Sequence, residues 1–290
     1  MPGPRVTVVV ATRDRRASLE HTLRQLTGLP EAPPVVVVDN GSSDGSPDLV
    51  ADSFPDVRLV TLPHNAGAVT RTVGVELVDS PYVAFADDDS WWEQGCLGRA
   101  ADALDAAPRL ALVVARAVLW PDRTTDAVSV KSARAPIGVE PDLPGPSVLG
   151  FPACAAVVRR SAYLQAGGFS PLLGFGGEEE LLSLDLAAAG WGQVYLDDAV
   201  AVHAPDSARA DGRSRWALQQ RNTALTAWLR LPLTVALTRT AGLARSGVTD
   251  AGARRALGQL ARRLPQAFAQ RRPVPRAVAA AHARAGRPLT

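Results

Sequence analysis

The chain opens on a run of β-branched residues, Arg-Val-Thr-Val-Val-Val-Ala at residues 5–11. It has no polar alternation, which predicts a strand buried on both faces rather than one lying on a solvated edge. Thr12-Arg13-Asp14-Arg15 reads as a turn, and Leu19, Leu23 and Leu26 then recur at helical spacing within residues 17–27. Val35 to Val38 repeats the buried-strand pattern and ends in Asp39-Asn40-Gly41-Ser42-Ser43-Asp44-Gly45, a cluster of turn formers. A short helix over residues 47–53, a strand over 57–62, a loop at His64-Asn65-Ala66-Gly67 and a helix to about Val78 follow. The apolar run Tyr82-Val83-Ala84-Phe85-Ala86 then delivers three consecutive carboxylates, Asp87, Asp88 and Asp89.

Further on, residues 110–120 and 151–158 predict strands, separated by an irregular excursion over 121–149 rich in Pro, Asp, Arg and Ser. A helix near residues 161–166 precedes Gly167-Gly168-Phe169, and Gly174-Phe175-Gly176-Gly177 reads as a flexible loop or lid. Glu178-Glu179-Glu180 opens a leucine-bearing helix that stops at Gly190. Two short strands, residues 194–196 and 200–202, come before His203. Strands alternating with helices imply βαβ units and a mostly parallel sheet, whose ligands gather at the carboxyl ends of the strands. Thr12, Asp14, Asp39 and the aspartate triplet all lie at such ends.

Composition supports a folded core, with 47% hydrophobic residues in 290. The net charge of +2 hides a division. Residues 1–208 hold 15 Lys and Arg against 27 Asp and Glu, whereas residues 209–290 hold 16 arginines against two aspartates. We therefore divide the chain at 208, into an acidic α/β domain and a helical, arginine-rich extension. The basic segment implies an anionic counterpart, either a phospholipid surface or the acidic body itself; no nucleic acid is expected, because no reader motif accompanies the charge. The apolar run 231–243 is broken by Pro232 and bracketed by Arg230 and Arg239, which is too short and too charged for a transmembrane span. No charged segment followed by an apolar one opens the chain, so a secretory signal is not expected. Cys96 and Cys154 lack metal-ligand spacing. A cytoplasmic protein follows, with a peripheral position at the inner face of the membrane as the variant that the basic segment suggests.

Carboxylates as close as Asp87, Asp88 and Asp89 repel unless a cation compensates them, and Mg²⁺ or Mn²⁺ takes oxygen ligands of this kind. The plain alternative is a solvated turn that caps a helix beginning near Trp91. The rest of the chain favours the metal reading. Thr12-Arg13-Asp14-Arg15, Asp39-Asn40-Gly41-Ser42-Ser43-Asp44, Asn65-Ala66-Gly67 with Arg71, the triplet, Gly167-Gly168-Phe169, Gly177-Glu178-Glu179 with Ala189-Gly190-Trp191, and His203 resemble family 2 glycosyltransferases of bacterial type with a GT-A fold. The resemblance covers about residues 5–205, and the stretch from Arg221-Asn222 to Pro232 is similar to the tail of bacterial members.

That resemblance implies a nucleotide-diphosphate sugar as donor and a hydroxyl on a polysaccharide, glycolipid or small metabolite as acceptor. Thr12 and Asp14 would line the base and ribose pocket, and Asp39 would bond the base; an Asx-turn to Gly41 and Ser42 is the structural alternative. Asn65 and Arg71 would contact the donor, although Arg71 has a surface ion pair with Glu76 or Asp79 as its alternative. Asp87 and Asp89 share one face of extended backbone. Asp89 would ligate Mn²⁺ or Mg²⁺, Asp87 would contact ribose or the hydrated ion, Asp88 would complete the pocket, and His203 would lie near the metal or be an ordinary satisfied imidazole. Glu179 would be the general base, with Glu178 second, unless both serve only the helix dipole. Glu179 stands where the family often has Asp, which moves the carboxylate by one methylene. Trp91 and Trp92 would stack on the acceptor or fill the core beneath it. The expected reaction is one inverting displacement. The rivals are a nucleotidyltransferase, disfavoured because no glycine-rich phosphate loop follows the first strand, and a non-catalytic nucleotide- or glycan-binding module.

Overall fold

The first β-branched run forms β1 (Val6–Thr12), and its residues Val8, Val9 and Val10 are fully buried. In the computed structural model, which describes residues 3–205 and 212–286, this strand lies inside the sheet between β2 (Val35–Asp39) and β4 (Tyr82–Asp87), parallel to both. Val8 and Val10 enter one hydrophobic cluster and Val9 the cluster on the opposite face, as the two-residue period of a strand requires. The connections are helical: α1 (Arg16–Thr27), α2 (Ser46–Ser53), β3 (Arg58–Thr61) and α3 (Val69–Glu76) complete the first half in the predicted alternation.

The strand order is β3-β2-β1-β4-β8-β6-β9-β5, with β7 paired to β6. Its members are β5 (Ser90–Trp92), β6 (Leu110–Leu119), β7 (Thr124–Thr125), β8 (Ala156–Arg159) and β9 (Gly192–His203). The β3-β2-β1-β4 half is parallel, β8 enters antiparallel to both β4 and β6, and β6 runs parallel to β9. The remaining helices of the body are α4 (Cys96–Ala106), α5 (Ala127–Ala133), α6 (Arg160–Gln165) and α7 (Glu178–Ala188).

Several local expectations change. The aspartate triplet caps no helix at Trp91: Ser90, Trp91 and Trp92 pair antiparallel with His203, Val202 and Ala201, and the next helix begins at Cys96. The strand expected over 151–158 starts only at Ala156, after a 3₁₀ turn at Ala153–Ala155. The two short strands before His203 are one strand. The long β6 continues past Asp197 and Asp198, and a register shift between Ala115 and Arg116 absorbs the extra residues as a bulge. Within the excursion, β7 and α5 supply regular structure.

The predicted boundary at 208 lies outside the described residues. Beyond it stand α8 (Gly212–Arg230), α9 (Leu233–Ser246), α10 (Ala251–Ala269) and α11 (Arg276–Ala285). They pack on α7 and the loop before it: Leu172, Leu173 and Leu181 share a core with Leu225, Leu229, Leu243 and Leu260. Arg230 bonds Asp185 with two nitrogens, one of them at 3.1 Å. The amphipathic face of α10, with Ala253, Ala256, Leu260 and Ala267, is spent on this packing and points inward.

Candidate active site

Arg71 is the hub. It rides on the first turn of α3, which lies unusually close to β1 because Gly74, one turn on, has no side chain; a Cβ there would stand 2.4 Å from Val9 Cγ1. The guanidinium is buried, bonds Asp87 Oδ1, lies 3.9 Å from Glu178 Oε1 and sits over the Phe169 ring at 5.9 Å. Burial alone would lower its pKa, but the pull of Asp87 and Glu178 outweighs burial and raises it. Thus Arg71 makes no surface pair with Glu76 or Asp79. It is an internal cation joining the end of β4 to the start of α7.

The triplet spreads over three partners. Asp87 faces Arg71 and takes its backbone N–H bond to Ser90 Oγ at 2.7 Å. Asp88 accepts from Thr12 Oγ1 at 3.1 Å, and its backbone carbonyl accepts from Thr22 Oγ1 at 2.9 Å. Its carboxyl is pushed up to about 7 by burial and by repulsion from Asp87 and Asp89, against the pull of Arg15 and the Thr12 bond. The Asp89 side chain is wholly buried, with Oδ2 3.6 Å from Arg15 and Oδ1 3.5 Å from His203 Nε2. β-Pairing of Ser90 with His203 brings the imidazole there. Sequence reading singled out Arg15 only within its turn; its contact with both carboxylates comes from the fold of that turn over the end of β4.

Two side chains from the first strand ends have structural partners and room left over. Asp14, at φ +50°, accepts from Ser43 N at 2.7 Å and donates its own N–H to Ser42 Oγ at 2.9 Å, so it staples the β1 and β2 loops together. Asp39 Oδ2 accepts from Ser42 N at 3.0 Å, the Asx-type bond, whereas buried Asp39 Oδ1 has no hydrogen-bond partner among the described residues. Asn65 accepts from Asn40 Nδ2 at 2.8 Å and from Gly67 N at 2.9 Å. Thr12, Arg13, Arg15, Asn40, Asn65, Arg71, Asp87 and Asp88 line one cavity of about 430 Å³, rimmed by Phe175 and by Leu218 of α8. Cationic groups and carboxylates therefore meet at the carboxyl ends of β1, β2 and β4, where an open α/β sheet holds nucleotides.

The glycine loop before α7 is held from both sides. Ala68 N donates to Gly174 O at 2.8 Å; Asn222 Nδ2 donates to Phe175 O at 3.0 Å and to Gly176 O at 2.7 Å; Arg221 donates to Leu173 O at 2.7 Å. A Cβ on Gly67, at φ +63°, would meet Gly174 O at 2.8 Å, so only glycine allows this approach. In the first turn of α7, Glu178 is buried against Arg71 and Glu179 is half-buried. The carboxyls of both are raised, first by burial; for Glu178 Arg71 opposes the rise, and for Glu179 the Glu178 charge adds to it. Glu180 is tied to the C-terminal helices: its Oε1 accepts from Arg239 of α9 at 2.9 Å and meets His282 of α11 at 2.7 Å.

Trp92 is fully buried with its indole N–H on Phe85 O at 3.0 Å, and Trp91 is buried against His21 and Trp120. Both fill the core, and neither presents a face to an acceptor. Among the described residues no group of three His, Cys, Asp or Glu side chains gathers as a ready metal site. The donor set nevertheless fits a hard divalent ion. Asp89 Oδ1 and His203 Nε2 stand 3.5 Å apart, an oxygen and a nitrogen donor of the kind such an ion takes, and Asp88, buried beside them, adds acidic charge. An ion held by so few side chains completes its shell with water and phosphate oxygen.

A model of the family described as Glycosyl transferase family 2 matches residues 7–165. The pre-mycofactocin glycosyltransferase of Mycobacterium tuberculosis is 30% identical over 209 residues, covering 68% of this chain and 42% of that protein, so the chain spans about two fifths of that relative. The N-acetylglucosaminyl-diphospho-decaprenol L-rhamnosyltransferase of the same organism is 29% identical over 268 residues, covering 78% of this chain and 87% of that one. Among solved structures, the mannosyltransferase PcManGT from Pyrobaculum calidifontis, in complex with GDP-Man and Mn²⁺, shares the fold with a TM-score of 0.59 at 22% identity, over 97% of this chain and 75% of that chain.

Proposed function

The chain belongs to glycosyl transferase family 2, and from that premise we propose that it moves a sugar from a nucleotide-diphosphate donor to a hydroxyl acceptor by one inverting, divalent-metal-dependent displacement. The observation that carries the reading is the cavity at the ends of β1, β2 and β4, where Thr12, Arg15, Arg71, Asp87 and Asp88 converge. The base of the nucleotide enters beside Asp39, whose spare Oδ1 accepts a base N–H. Arg15 and Arg71, already paired with carboxylates, orient the diphosphate. Asp89 and His203, with Asp87, would hold Mn²⁺ or Mg²⁺. When bound, the ion supplies Lewis-acid stabilisation of the departing diphosphate.

Glu179 takes the acceptor proton. Its raised carboxyl brings it closer to neutrality, where a general base works best. Glu178, pinned by Arg71, positions the turn. A lipid-linked glycan suits the acceptor, in keeping with a relative named for a diphospho-decaprenol substrate. We also place the protein peripherally on an anionic membrane. No helix among the described residues is long and apolar enough to cross one, yet Leu233, Leu237, Val248 and Phe268 are exposed on the arginine-rich extension.

The test is a thermal-shift panel of nucleoside diphosphates and their sugars, each with and without Mn²⁺, on wild type and Asp89→Ala. A ligand at about 100 times its Kd adds about 2.7 kcal/mol. A Mn²⁺-dependent shift with one nucleotide, lost in Asp89→Ala, supports the donor site; no shift with any nucleotide overturns it. Product configuration at the anomeric carbon, read by NMR, decides inversion.

A further inference from the structure

With Trp91 and Trp92 in the core, the acceptor needs another surface. One cavity reaches Glu179 and shares no lining residue with the donor cavity. Its walls come from three places distant in sequence: α5 with residues 136–151 after it, the first turn of α7 and the end of α11. Val128, Ile137, Val148, Phe151 and Ala285 supply apolar walls, and Lys131, Glu179 and Glu180 supply its charged groups. The enclosed space is about 80 Å³. A dry cavity of about 150 Å³ admits a benzene ring. The space here therefore suits a branched alkyl group or a stretch of chain, and leaves a sugar ring at the mouth.

A second observation points to a ligand. Glu180 is buried, and Oε1 already serves Arg239 and His282; Oε2 has no hydrogen-bond partner among the described residues. A buried carboxylate oxygen left without a donor is costly, and an incoming hydroxyl would satisfy it. The same carboxylate ties α11 into place through His282, so the far wall of the cavity belongs to the basic extension.

We propose that this cavity is the acceptor subsite, and that it takes a hydroxyl compound with an apolar alkyl body. The inference rests on reading Glu179 as the base. The apolar body lies against Val128, Ile137 and Ala285, one hydroxyl bonds Glu180 Oε2, and a second faces Glu179.

The experiment uses the full chain with n-hexyl β-D-glucopyranoside as the probe and glucose as its control, each titrated by saturation-transfer NMR. Wild type is compared with Ala285→Trp and Val128→Trp, which fill the cavity from α11 and from α5. We expect transfer to the hexyl protons in wild type, glucose bound at least tenfold more weakly, and both variants weakening the hexyl glucoside at least tenfold. A wild-type circular dichroism spectrum and a cooperative thermal melt of each variant verify that it is folded. Equal binding of the probe by wild type and both folded variants, equal binding of glucose, or no binding of the probe by wild type overturns the subsite. If the probe behaves as expected but no nucleotide shifts the wild type, the cavity stands and the transferase reading falls.

Discussion

At the scale of single residues, the site runs on carboxylates that the fold keeps from ionising freely. Glu179 is the one whose removal should stop chemistry. Glu179→Gln is expected to lower kcat by about 10²–10⁴-fold with donor affinity retained, and Glu179→Asp to recover part of it. Because its pKa is raised, wild-type kcat/KM should climb with pH along a limb above the ordinary carboxylate range, and a flat profile there would reassign the base. Asp88 gives a prediction on stability instead. Its folded pKa of about 7 lies above the unfolded value of 3.8, so its favourable contribution is complete below pH 4 and is lost as pH rises through 7. In chelator, the wild type should therefore lose up to about 4 kcal/mol between pH 4 and pH 8 from this group. Asp88→Asn should abolish most of that slope and unfold at higher temperature than wild type at pH 8; parallel melting curves at both pH values would refute it. Legibility at this scale followed chemistry. The strand-end positions of Thr12, Asp39 and Asp87–Asp89 could be read from pattern alone, whereas the partner of Arg71 could not. Its candidates four or more residues along the chain, Glu76 and Asp79, were local, and the true ones, Asp87 and Glu178, are brought by the sheet and by α7.

Among elements, the parallel half of the sheet was plain in the sequence because strands buried on both faces read as unbroken β-branched runs, and helices between them carry leucines at their own period. The other half was less legible for a physical reason: β5, β8 and β9 are defined by partners far away in sequence, antiparallel for β5 and β8 and mainly parallel for β9. Trp91 and Trp92 have no strand signal of their own, and Asp197-Asp198 looks like an end until β6 pairs on both sides of it. The fit of α3 on β1 yields a prediction at this level. Gly74→Ala gains about 1 kcal/mol of helix propensity, yet its Cβ would stand 2.4 Å from Val9 Cγ1 inside a core with no slack. A net destabilisation of about 1–3 kcal/mol is expected in denaturant unfolding. Nucleotide affinity should fall with it, since Arg71 rides the same turn of helix. Val9→Ala in the Gly74→Ala background should restore part of the loss, and a purely additive double mutant would show that the close approach is not its cause.

The whole molecule is electrically two-sided, and that is where its relation to a membrane is decided. Packing of α8–α11 on α7 consumes the inner face of α10 and ties Arg230 and Arg239 to Asp185 and Glu180, so part of the charge division is satisfied internally, as the acidic body allows. What remains outward is mixed. Leu233 and Leu237 stand one turn apart on α9 and are exposed, as is Val248 in the turn just after that helix, with Arg245 in its last turn. Phe268 of α10 joins them through Trp228, which it meets at 5.2 Å and whose indole N–H bonds Thr240 of α9 at 3.0 Å. An apolar stripe rimmed by arginine is the pattern of a surface that rests in the headgroup region, apolar side down. Each arginine near an anionic leaflet adds about 1 kcal/mol, and that share is screened by salt, whereas the buried leucines are not. The full chain should thus float with phosphatidylglycerol vesicles, less so as salt rises and hardly at all with phosphatidylcholine alone. The double substitution Leu233→Glu, Leu237→Glu touches no arginine and should release the protein at low salt as well. Undiminished flotation of that variant would reduce the contact to charge alone, and failure of wild type to float at low salt would leave the basic extension with the acidic body as its sole counterpart.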